Sequence, residues 1–119
     1  MVLEQEFSHA IEELVQQSQT NLKIGESLVH IHAVETTKKL SLATNVYQGE
    51  AYVPDAVRQA MHHKWPYARS IPTFLRMDEP AFAIELRYLG DLETLSKKQF
   101  RKLLEEFAGI ADEWRVFLD

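Results

Sequence analysis

Cysteine is absent from the 119 residues, which excludes both a disulfide framework and thiolate metal chemistry. Glycine is scarce. None of the four glycines starts a G-x-G-x-x-G or G-x-x-x-x-G-K pattern, so no loop is built to cradle phosphate. No apolar run approaches the roughly 20 residues of a membrane-spanning helix. The opening stretch MVLEQEFSHAIEEL is acidic and lacks the basic and apolar regions of a secretory signal, which sets the expectation of a cytoplasmic location. A formal net charge of −5 argues against general nucleic-acid binding, since phosphate contacts need clustered Lys and Arg, although a local patch can survive an acidic average. What remains, 45% hydrophobic and 26% charged, describes an ordinary globular chain of a length that predicts a single domain over 1–119.

The best-specified stretch is SKKQFRKLLEEFAGIADEWRVFL, Ser96 to Leu118. Ser96 stands where an N-cap should, and Gln99 three residues on completes a capping box. Leu95 and Phe100 are spaced for the accompanying hydrophobic staple. Apolar residues then recur at Phe100, Leu103, Leu104, Phe107, Ala111, Trp114 and Leu118, three or four apart and therefore on one helical face. Such a stripe serves either a fold core or a partner helix.

Leu3 to Gln19 predicts a first helix with an apolar stripe of Phe7, Ala10, Ile11, Leu14 and Val15. Its early glutamates suit the positive end of the helix dipole. Thr20-Asn21 interrupts the pattern, and Gly25 marks a further turn. Leu28–Val34 alternates as a strand, Lys39–Tyr47 as a second, and Ala51–Val53 suffices for a short third. Pro54 fits the first position of a second helix, with Val57, Ala60 and Met61 on its apolar side and Pro66 ending it. Tyr67–Pro72 reads as a loop. Thr73–Met77 and Ala81–Leu89 are strands joined at Asp78-Glu79-Pro80, with Gly90-Asp91 breaking the second. The order α-β-β-β-α-β-β-α with short connections predicts an α+β fold, an antiparallel sheet packed with helices.

Catalytic and metal chemistry is thinly represented. Glu12-Glu13 and Glu105-Glu106 fall on helices, where paired carboxylates belong to solvated surface. His30 and His32 lie two apart on a strand, so both imidazoles project to one side, either as a metal site or as a polar outer face. Adjacent His62-His63 diverge on a helix and add little to a ligand set. The segment HHKWPYAR mixes cations with aromatics, a combination that stacks bases or simply forms a loop. No cofactor is expected.

From Phe74 to the end, the strand pair, the Leu95-Ser96 helix entry, Phe100, Leu104, Phe107 and the Trp114-Arg115 pair resemble the closing hairpin and helix of the CesT-like type III secretion chaperones. Length, acidity, absence of cysteine and element order agree with that family. The middle departs from it, with HHKWPYARSIPT where the family commonly has a glycine- and asparagine-containing loop. The resemblance implies a cytoplasmic bacterial homodimer without enzymatic activity. Such a protein holds the N-terminal segment of a secreted effector extended, in apolar grooves and along an exposed strand edge. On that reading Ile11, Leu14 and Val15 are expected to wall the client groove, the alternative being that all three are simply core, and Val57, Ala60 and Met61 to form the two-fold interface. A regulatory module of the same fold, acting on transcription or signalling proteins, is the competing expectation. A small metal-binding or hydrolytic enzyme, for which only the histidines speak, is the third.

Overall fold

Alternating burial along the strands and apolar stripes on two helices organise the molecule. The computed structural model describes residues 2–66, 69–93 and 95–119. The elements are α1 (Glu4–Gln17), β1 (Gln19–Ile24), β2 (Ser27–Val34), β3 (Lys39–Gln48), α2 (Asp55–Ala60), β4 (Phe74–Asp78), β5 (Ala83–Asp91) and α3 (Lys97–Leu118). All five strands join one sheet in the order β1-β2-β3-β5-β4, and every pairing is antiparallel. The expected α+β class and element order are therefore observed.

One strand, however, is not where the sequence suggested. β1 occupies the stretch expected to be a break, and Ala51–Val53 is not a strand. Thr20 and Asn21 resemble turn residues locally. The inward Thr20 is nevertheless buried, its hydroxyl donating to Glu13 Oε1 of α1 at 2.6 Å, while Leu22 and Ile24 enter the core beside it. A non-local pairing with β2, from Gln19↔His32 to Ile24↔Ser27, supplies the hydrogen bonds that local propensity does not predict. At Val53 the backbone is claimed otherwise: Arg58 Nε donates to its carbonyl at 3.1 Å. That contact turns the chain into α2 and withholds it from a ladder.

Three boundaries also shift. α1 ends at Gln17 because Ser18 adopts a left-handed conformation (φ 63°), its N–H capping Leu14 O. α2 stops at Ala60, well before Pro66, and Pro54 is its N-cap rather than its first residue. There the N–H groups of His62 and His63 fall back on Gln59 O and Ala60 O in tight turns. β5 runs through Gly90 to Asp91, where Lys39 Nζ meets Asp91 Oδ1 at 2.7 Å. Of the loop expected at Tyr67–Pro72, Tyr67 and Ala68 lie outside the described residues.

α3 begins as expected: Ser96 Oγ accepts from the Gln99 N–H, and Gln99 Oε1 accepts from the Ser96 N–H. α1 and α3 cover one face of the sheet. Phe7, Ile31, Leu40, Leu42, Ile84, Leu86, Leu104 and Phe107 are sealed between them. Fully burying each such side chain contributes about 1.5–3 kcal/mol, an upper figure because the unfolded chain already shields some surface. The opposite sheet face carries His30, His32 and Asn45 into solvent. Among the described helices and strands, β1 and β4 each leave one edge unpaired.

Candidate protein-binding surface

α1 does not bury its whole stripe. Phe7 and Ala10 enter the core, Ile11 and Leu14 are half-buried at its margin, and Val15 is 73% exposed. Beside them the chain leaves β5 at Leu92, whose N–H donates to Lys38 O, and enters α3 past Leu95. Between α1 and this entry lies an open recess of about 340 Å³. Its apolar lining is Ile11, Leu14, Val15, Leu92, Leu95 and Phe100, with Ser96 and Lys97 at the rim. The three residues expected to wall a groove thus share one recess. Leu92, Leu95 and Phe100 form the facing wall; the sequence assigned Leu95 and Phe100 only to a staple and a core stripe and did not single out Leu92. A solvent-exposed valine next to half-buried leucine and isoleucine leaves apolar surface that a partner side chain can cover.

A salt bridge ties the N-terminal end of α1 to α3. Arg101 of α3 pairs with Glu4 and donates to the main-chain oxygen of Val2. Its guanidinium carbon lies 5.7 Å from the centre of the Phe7 ring, itself 5.8 Å from Phe100. The helices that frame the recess are therefore tied together.

Val57, Ala60 and Met61 are half-buried where α2 meets the core. Met61 also lines a larger recess of about 560 Å³, with Trp65, Ile71, Phe74, Leu75 and Trp114 among its walls. α2 is anchored by a forked pair, Arg58 Nη1 and Nη2 to the two Glu79 oxygens at 2.7 and 3.0 Å. Hydrogen bonding from Arg58 holds the Glu79 carboxyl below the usual glutamate range, and the same bond raises the Arg58 pKa.

The other sequence candidates are dispersed. His30 Nδ1 lies 2.6 Å from Asn21 Oδ1 on the open sheet face, beside His32. His63 instead stacks on Phe117, ring centres 4.2 Å apart. Among the described residues no group of three or more His, Cys, Asp or Glu is placed to hold a metal ion. In HHKWPYAR, Tyr67 and Ala68 fall outside the described residues. Trp65 packs edge-on against Trp114 at 5.3 Å, and Arg69 lies over Trp65 and pairs with Glu113. These groups are turned onto α3 rather than presented as a stacking platform. No described helix is long and apolar enough to cross a membrane.

Compared by sequence, the chain matches no protein-family model and no curated protein. Compared by structure, it superposes on a chain of the ExsC–ExsE complex with a TM-score of 0.67 at 15% identity, over 99% of this chain and 97% of the other. The HopA1–SchA chaperone–effector complex gives a TM-score of 0.62 at 14% identity, covering 92% and 87%. The Yersinia pestis type III secretion chaperone SycH, solved with a stable fragment of YscM2, gives 0.53 at 14% identity, covering 91% and 98%. The chain shares its fold with chains of these three structures. At the level of fold, the resemblance carried by the closing hairpin and helix extends over nearly the whole chain. In this fold the recess between α1 and α3 lies on the helical side of the sheet, away from His30 and His32.

Proposed function

We propose that this chain is a bacterial, cytoplasmic type III secretion chaperone, a single domain that holds an extended N-terminal segment of a secreted effector in a secretion-competent form. The observation that carries the proposal is the apolar recess walled by Ile11, Leu14 and Val15, with Val15 left 73% exposed. The fold shared with chaperones solved beside an effector or a partner fragment supports the same reading. Client side chains would fill the recess, and the unpaired edge of β1 or β4 could take an added strand. The role calls for binding and release, with no catalytic step and no cofactor. Val57, Ala60 and Met61 are proposed to meet a second copy of the chain.

The test is affinity capture from the native cytoplasm with wild type and Val15→Asp in parallel. Wild type should recover a protein through its N-terminal region. Val15→Asp should lose that protein while its circular dichroism and melting stay intact, because an exposed valine contributes little to the fold. Recovery of a transcription or signalling protein instead would favour the regulatory module.

A further inference from the structure

The apolar recess between α1 and α3 has a neighbour across Leu95. On the other flank of α3 a second recess of about 400 Å³ opens, and Leu95 lines both. Its apolar walls are Ile71, Tyr88, Leu95 and Leu103. Lysines stand beside the two recesses: Lys97 at the first, Lys102 at the second, and exposed Lys98 between them in sequence. Among the described residues none of the three makes an ion pair, whereas Arg101 in their midst is paired with Glu4 and Glu105. Glu106, the carboxylate on the second recess, already accepts from Ser70 Oγ at 2.7 Å. A chain of net charge −5 therefore sets three lysines beside these two recesses, whose lining includes a single carboxylate, Glu106.

Building on the effector-binding role proposed above, we infer that the partner segment is apolar with flanking acidic residues. Its apolar side chains enter the two recesses on either side of Leu95, and its carboxylates meet Lys97, Lys98 and Lys102. Charge of this kind selects partners and their register more than it adds affinity. A nucleic acid would use the same lysines but would leave both apolar floors uncovered, so the recesses favour a peptide.

The probes are labelled extended peptides with identical Leu and Phe positions and either Glu, Gln or Lys between them, followed by fluorescence anisotropy. The Glu peptide should bind roughly tenfold more tightly than the Lys peptide, the sum expected of a few exposed ion pairs. Its advantage should shrink as salt rises. Combining Lys97→Gln, Lys98→Gln and Lys102→Gln should erase the preference while leaving the melting curve and the binding of the Gln peptide in place. Equal binding of the Glu and Lys peptides, or no binding of any, overturns the inference. So does competition by a single-stranded oligonucleotide for the same lysines, or a change of sedimentation in the triple variant, which would put a second copy there. Loss of native client capture in Val15→Asp but not in the triple variant would leave the chaperone role standing and the acidic preference refuted.

Discussion

Arg115 Nη2 lies 2.7 Å from the main-chain oxygen of Asn45, at the point where β3 bulges against β5. A bulge frees a backbone group from the ladder, and this one is taken up by a side chain from the last turns of α3. The same guanidinium donates through Nη1 to Ser27 Oγ at 2.8 Å and to Asp112 Oδ1 at 3.1 Å. One side chain thus binds the end of α3 to β2 and β3, and buried Ser27 depends on it.

Arg115→Met should cost about 1–3 kcal/mol in urea denaturation, the usual penalty for leaving buried polar groups unsatisfied. Arg115→Lys should recover only part of it, because an ammonium cannot span Ser27 and Asn45 as a planar fork does. A change below about 0.5 kcal/mol would mean that water replaces the guanidinium at the bulge.

Trp114 is 6% exposed and packs edge-on against Trp65, with ring centres 5.3 Å apart. Trp114→Ala should therefore cost about 3–5 kcal/mol, the range for emptying a large aromatic site. Chemical denaturation gives the value, and near-ultraviolet circular dichroism should lose the signal of the coupled indoles. A loss below about 1 kcal/mol would contradict the core placement.

Legibility in the sequence follows how local each determinant is. The Ser96–Gln99 box and the α3 stripe are written within a few residues, and both appear as read. β2 and β5 were legible because their alternation is strict. β1 was not, since Thr20 and Asn21 look like turn residues until β2 is there to pair with them. The candidate site divides similarly. Ile11, Leu14 and Val15 are visible as a stripe, but which end of it stays open depends on where Leu92 and Leu95 pass, a tertiary fact that no window of α1 contains.

Glu79 gives a pH dependence of known sign. Its folded carboxyl is held below the usual glutamate range because Arg58 hydrogen-bonds the charged form. The stability linked to it is fully present above the unfolded pKa and is lost as pH falls through the folded one. Acid unfolding of wild type and Glu79→Gln should therefore differ most above the ordinary glutamate range and converge below the folded pKa. A carboxyl carbon titration placing Glu79 at or above the ordinary value would remove the basis for this difference.

Self-association is the last expectation, and it turns on α2. Val57, Ala60 and Met61 are half-buried against their own core, so part of each side chain remains available to a partner copy. A two-fold interface here would bring the same patch from both protomers together, and Met61→Glu would then bury two like charges without partners. Sedimentation at tens of micromolar, roughly where even a weak dimer is populated, should give a dimer for wild type and a shift toward monomer for the variant. Because Met61 also touches the core, the melting temperature must be followed against concentration. A wild-type melt that rises with concentration marks coupled folding and association. Should Met61→Glu lower the melt equally at all concentrations and leave sedimentation unchanged, Met61 acts in the core alone and the two-fold contact lies elsewhere.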